Sequence, residues 1–503
     1  MLTLLPKISI LNPIKKLAGQ TVIYGFSSII GRILNYLLVP LYTRIFTQGE
    51  YGIVNVMYAF VAVAFIILTY GMETTYFRYS EIEKGKRNVY NTILSSILTS
   101  SLIFLFFVIV FAKDVARLIE YPDNSEYVIL FAIILSLDAI TAIPFAKLRA
   151  QNRPIKFATI KFVNIGVNIG LNLIFLLLFP FLLKQSNPSV SKIILIFFNP
   201  EWSLIVYVFI SNLAASAIAL VLLYSELRDF KFNFDFRLWK KMMIYSLPLL
   251  LTGLAGVMNE TYGRLLMKYI LPEDIAEQQI GIYSASIKIA FLLNLFVQAF
   301  RYAAEPFFFS HEKEKDSKAV YARVMNYFVI AISFIFLGLM LYIDIVVLII
   351  GVNFREGIAV IPVLLMGYLF LGIFYNLSIW YKLTNKTLYG AFIAIGGAVL
   401  TIVFNLLWIP RFGYMGSAWA ALLCYGSMMI ASYFIGMKYY VIDYQIGKLI
   451  GYISLSIVLV LINHSIKIED VLFRFLLSTF LLIIFLLTVY ITERKDFKSF
   501  FSH

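Results

Sequence analysis

Several charged and amide side chains stand inside stretches that are otherwise apolar: Arg32, Asn35, Asp138, Lys161, Glu260, Arg264, Lys288, Gln298 and Arg301. A charge at the centre of a membrane-spanning helix costs about 2.5–3.5 kcal/mol on insertion scales, so each must face water, a partner or a ligand. Gly25, Ser28, Arg32 and Asn35 share one narrow helical face. Arg32 lies too deep to reach the interface by extending its side chain. It reads either as a cation lining a wet cavity or as half of a pair with a neighbouring helix. Asn294, Gln298, Arg301 and Glu305 form a second stripe, with the deeper Lys288 beside it. Glu260 and Arg264 are four apart, a spacing that suits a local ion pair or a shared site. Asp138 is an isolated carboxylate that either binds a coupling proton or cation or accepts a hydrogen bond from a neighbour. Lys161, Asn164, Asn168 and Asn172 form a stripe beside Gly166 and Gly170, a pattern that reads as interhelical glue.

The elements that must position these residues are membrane helices. Of 503 residues, 61% are hydrophobic and 14% charged, whereas a soluble domain carries about 25% charged residues. A bilayer core needs about 20 mostly apolar residues per helical span. The sequence supplies about fourteen such stretches, at 17–45, 52–72, 89–112, 127–147, 156–180, 203–225, 242–270, 280–305, 321–343, 358–381, 388–409, 415–437, 447–463 and 471–491. The expected fold is therefore all-α and polytopic. The net charge of +14 does not point to nucleic acid, because the basic residues fall in short clusters between spans. One set of alternate connections holds about 27 of them and the other about 10, which places both termini in the cytoplasm. Cys424 is the single cysteine, and three scattered histidines offer no metal-ligand spacing. No cleavable signal peptide is expected, since the first apolar stretch is long and carries Arg32.

The chain also repeats itself. Leu41-Tyr42-Thr43-Arg44 followed by Tyr51-Gly52-Ile53 is echoed by Thr261-Tyr262-Gly263-Arg264 followed by Gly281-Ile282-Tyr283. Asn172-Leu173 before Pro180 is echoed by Asn405-Leu406 before Pro410. An even number of spans per repeat gives two parallel six-helix lobes with a site between them, as in transporters built from parallel repeats. The expected organisation is an N-terminal lobe over 1–230, a C-terminal lobe over 231–440, and two extra helices with a tail over 441–503. Gly31, Pro40, Pro144, Gly253 and Gly256 permit bending within spans.

The run Gly31-Arg32, Val39-Pro40-Leu41-Tyr42-Thr43-Arg44 and Glu50-Tyr51-Gly52 resembles the opening signature of polysaccharide-exporting flippases. These belong to the multidrug/oligosaccharidyl-lipid/polysaccharide exporter superfamily. Ser246-Leu247-Pro248-Leu249, Gly281-Ile282-Tyr283-Ser284-Ala285, Ala304-Glu305-Pro306 and the run Pro410 to Ala418 extend the resemblance over nearly the whole chain. It implies a MATE-like pair of six-helix bundles around a cationic cavity. The implied substrate is an undecaprenyl-diphosphate-linked oligosaccharide of the O-antigen, capsule or exopolysaccharide type. Arg32, Arg264 and Lys288 match the implied cationic role, with Asn35, Gln298 and Arg301 as further cavity residues. Asp138 and Glu260 are the carboxylates for a coupling ion, Na+ or H+, or for structural pairing. No catalytic residue, metal or other cofactor is expected. The expected partners are the lipid-linked substrate, membrane lipids and polysaccharide polymerase machinery in the bacterial inner membrane.

Three other readings stay open. A lipid II flippase shares the span number, and a multidrug/cation antiporter of the same superfamily shares the helical core. An antiporter's cavity is expected to favour carboxylates, whereas the deep charges here lean basic. A membrane polymerase or ligase would present acid/base residues on a substantial outer loop. The connections on that side are short, and the longest, around Phe181–Trp202, is apolar enough to lie at the interface.

Overall fold

A computed structural model of the chain describes residues 31, 33–82, 88–151, 153–185, 188–310, 312, 314, 316–384, 386–466, 468 and 470–501. Arg32 and most of the expected first span lie outside them. Every regular element among the described residues is helical. Lipid offers no hydrogen bonds, and a helix satisfies its backbone groups internally.

Twelve helices among the described residues are long and apolar enough to cross a bilayer. The difference from about fourteen has two causes. Expected span 17–45 falls largely on residues that are not described. Expected spans 388–409 and 415–437 are both present: within Thr387–Tyr439 two helices meet at Gly413, whose backbone (φ 54°, ψ −134°) is not helical, and the twelve count that stretch once. That left-handed backbone favours glycine, and the following Tyr414 N–H donates to Gln279 Oε1.

The chain forms two compact units. The first holds Ile53–Thr261 with the described residues before Phe46; the second holds Phe46–Gly52 and the chain from Tyr262 onward. The first unit thus continues past residue 230 into the next long helix. It contains α1 (Leu38–Ile45), most of α2 (Gln48–Thr69), α3 (Met72–Ile82), α4 (Asn88–Val110), α5 (Ser125–Ala150), α6 (Pro154–Leu173), α7 (Pro188–Phe197), α8 (Leu204–Leu222) and the larger part of α9 (Phe236–Ile270). Helix α5 packs against α3, α4, α6 and α8. Its Leu135, Ala139 and Ile143 join Met72, Ile93, Ile97 and Met242 in one buried core. Along α4, Ile93, Leu94 and Ile97 face inward, whereas Leu102, Phe106, Phe107 and Val110 are exposed. In a bilayer that exposure is neutral, because lipid tails are as apolar as the side chains.

The second unit contains α10 (Glu273–Ser310), α11 (Ser317–Leu341), α12 (Ile361–Leu377), α13 (Thr387–Tyr439), α14 (Ile446–Ser465) and α15 (Val471–Phe501). Here α12 takes the place that α5 has in the first unit: it is largely buried and packs against α10, α11 and α13. The two helices outside the repeat, α14 and α15, pack on α11. Ser478 Oγ donates to the Leu341 carbonyl at 3.0 Å, and Arg474 pairs with Asp344 at 2.7 Å.

The duplication read from the sequence is also one of side-chain roles. Asn172 and Asn405 are both fully buried, and each donates its amide to the carbonyl four residues earlier, Asn168 and Thr401 respectively.

Candidate functional site

Helices α2, α3, α5, α6 and α8, with Asn35 just before α1, enclose a cavity of about 440 Å³ inside the first unit. It begins beside Glu73 and Arg149, which pair at 2.5 Å with side chains 43% exposed. Asp138, near the midpoint of α5, also lines it. Ser216 Oγ donates to Asp138 Oδ1 at 2.7 Å, and Asn212 Nδ2 donates to Tyr58 OH at 2.9 Å. Lys161 lies with its ammonium 4.2 Å from the centre of the Phe145 ring, a cation–π contact that keeps the charge inside the helix bundle. Asn35, Asn164 and Asn168 complete the amide lining, and Phe65, Phe145 and Phe157 supply aromatic walls.

This cavity divides the α6 stripe in two. Asn172 acts as glue: it accepts from Tyr42 OH at 2.9 Å and so ties α6 to α1. Lys161, Asn164 and Asn168 instead face the cavity. Spacing alone predicts glue for all four, because a helical stripe has one direction but does not reveal where a neighbour stops and a void begins.

The second unit holds another polar group. Arg264 is half-buried, and its Nε has no hydrogen-bond partner among the described residues; Ser417 Oγ and Asn405 Oδ1 share that state. Both oxygens sit against Gly263, and the Tyr283 hydroxyl faces Ser417 and Arg264. Asn294 Oδ1 on α10 is likewise buried and unpartnered among the described residues. Buried polar atoms of this kind carry a penalty of about 1–3 kcal/mol until water or a ligand meets them. Lys288 and Gln298 are half-buried on α10, Arg301 is exposed over the Tyr375 ring at 4.8 Å, and Glu260 is exposed. Asp138 and Asn35 thus share a cavity in the first unit, whereas Arg264, Lys288, Gln298 and Arg301 belong to the second. Arg32 lies outside the described residues. Among those described, no cluster of histidine, cysteine and carboxylate side chains could hold a metal ion.

Sequence reading missed a node outside the spans. Glu226, 1% exposed, accepts from Lys156 Nζ at 3.0 Å, Arg153 at 2.7 Å and Ser225 at 2.6 Å. Its carbonyl accepts from Tyr90 OH and Lys147 Nζ. Burial alone would raise its carboxyl pKa, but the hydroxyl of Ser225 and the charges of Lys156 and Arg153 outweigh it and hold the group below the usual glutamate range.

A protein-family model described as polysaccharide biosynthesis protein matches residues 17–312. The chain belongs to this family. Among solved structures, this polysaccharide biosynthesis family member is similar to the lipid II flippase MurJ in an inward closed conformation. The TM-score is 0.71 at 14% identity, covering 95% of this chain and 100% of that one. It is also similar to a multidrug resistance MATE family transporter of the MOP superfamily. The inward-facing form gives a TM-score of 0.60 at 12% identity, covering 81% of this chain and 97% of that one. The outward-facing form gives 0.57 at 12%, covering 83% and 94%. A comparison with curated proteins found no match. The family member therefore has the expected MATE-like helical fold and is a multi-pass membrane protein.

Proposed function

We propose that this protein moves an undecaprenyl-diphosphate-linked oligosaccharide, a repeat unit of O-antigen, capsule or exopolysaccharide, across the bacterial inner membrane by alternating access. The observation that supports this most is the polar cavity enclosed by helices whose outer faces are apolar. Each sugar hydroxyl costs about 2–7 kcal/mol to bury without a partner. A groove of amides and hydroxyls lowers that cost while the prenyl chain stays in lipid. Arg264 and Lys288, with Arg32, supply the cations that a diphosphate needs. The basic connections orient both termini toward the cytoplasm. Polymerase machinery on the outer face would take up the delivered unit.

The deciding experiment locates the lipid-linked unit after deletion of the chain. Accumulation in the cytoplasmic leaflet is the expected result. Accumulation in the outer leaflet would assign the protein to a later enzymatic step and end the flippase reading. Efflux of a cationic dye independent of sugar-lipid supply would identify an antiporter instead. Within the flippase reading, Arg264→Ala and Lys288→Ala should each lower surface polysaccharide by about tenfold or more at unchanged protein abundance, the consequence of losing at least about 1.4 kcal/mol of headgroup binding. Normal polysaccharide in both variants would remove these cations from the path.

A further inference from the structure

The cavity of the first unit has a charge balance that selects among ligands. Its lining carries four ionisable side chains of formal charge, Glu73, Asp138, Arg149 and Lys161, and these cancel. Glu73 and Arg149 pair directly. Asp138 is already served by Ser216, and Lys161 lies over an aromatic ring. A diphosphate would meet two carboxylates here, and a metal cation would meet two cations. The rest of the polar lining is neutral, with amides as both donors and acceptors and aromatic rings beside them. Amides and carboxylates that bridge neighbouring hydroxyls, together with an apolar face for stacking, are what an uncharged sugar ring requires. We infer that this cavity receives one or two uncharged sugar residues of the headgroup, separately from the diphosphate and from any coupling cation. The inference rests on the flippase reading and adds to it where the sugar goes and which residues read it. Asn164 is a specificity-determining side chain, since it lines the cavity between Lys161 and Asn168 on one face of α6.

A single-thiol protein tests this directly. Cys424 is the chain's one cysteine and is buried, so Cys424→Ala clears the background. Ala142→Cys then places one small thiol in the cavity lining. The probe is the free oligosaccharide released by mild acid from the lipid-linked units that accumulate in a deletion strain; it has lost both prenyl chain and diphosphate. Purified full-length protein is labelled with a methanethiosulfonate reagent with and without this probe. At ten times the dissociation constant, labelling should slow about tenfold. Asn164→Ala in the same background should label at the same rate without sugar and lose most of the protection. Three results would overturn the inference: no protection by the oligosaccharide, equal protection by inorganic diphosphate or Na+ alone, or an Ala142→Cys thiol that the reagent never reaches. These results decide the sugar site, whereas the flippase reading is decided separately, by the leaflet in which the lipid-linked unit accumulates on deletion.

Discussion

Among the described glycines, alanine in place of either Gly52 or Gly281 is expected to give the largest loss of stability. A β-carbon on Gly52 would stand 2.0 Å from the Glu277 carbonyl oxygen, and one on Gly281 would stand 1.9 Å from the Gln48 carbonyl oxygen. The two contacts are reciprocal: Gln48 and Gly52 each lie 229 positions before their counterparts Glu277 and Gly281. Within the second unit, the start of α2 and α10 therefore cross at residues that are equivalent in the repeat, glycine against backbone, in both directions. Both atoms encountered are main-chain oxygens, which cannot rotate away as a side chain can. The crossing is also held at its edges. Gln48 Nε2 donates to the Asn353 carbonyl and to Glu356, and the edge of the Tyr51 ring meets Phe354 with centroids 5.4 Å apart. Overpacking a well-filled core usually costs about 1–3 kcal/mol, and a clash with backbone belongs at the upper end of that range. Gly52→Ala and Gly281→Ala should each lower the detergent-solubilised melting temperature by several degrees and reduce surface polysaccharide. The double variant should lose clearly less than the sum, because the first β-carbon has already forced the helices apart. A Gly52→Ala protein that melts and exports like the parent would show that this crossing relaxes freely.

These glycines show what a sequence carries and what it withholds. The motif around Gly52 and its echo at Gly281 are visible as a repeat. Nothing in one strand of sequence says that the two copies press on each other. The spans were legible because a bilayer imposes one length and one composition on each of them. The helical class followed from the same constraint. Asp138 and Asn35 were legible as polar residues that must face something, and the cavity supplies it. The division of the α6 stripe was not, since Asn172 and Asn168 differ only in which neighbour stands opposite. Arg301 illustrates the reverse: a cation at helical spacing with Gln298 lies exposed on Tyr375, in keeping with its place near a helix end. Gly413 marks the boundary between the expected spans 388–409 and 415–437, where the backbone leaves the helical region.

Glu226 was the least legible of the structural residues, because its partners come from four separate stretches of chain: Tyr90, Lys147, the pair Arg153 and Lys156, and its own neighbour Ser225. Its removal should be the second large effect. Breaking a buried ion pair by deleting one partner costs about 3–5 kcal/mol. Arg153 is half exposed and Lys156 partly so, which lets solvent recover part of the loss and leaves about 2–3 kcal/mol. Glu226→Gln should lower the melting temperature at neutral pH. Adding Lys156→Ala should restore some of it, since a stranded cation is then gone. The pH dependence has a fixed sign. A carboxyl whose folded pKa lies below its unfolded value, about 4.3 for glutamate, contributes stability that is complete above that value. The contribution is lost as pH falls toward and through the lower folded value. The parent should therefore destabilise on acidification from about pH 5 downward, and Glu226→Gln should show a shallower fall over the same interval. Parallel acid limbs in parent and variant would mean that the four stretches of chain are held together by packing, with the carboxylate a bystander.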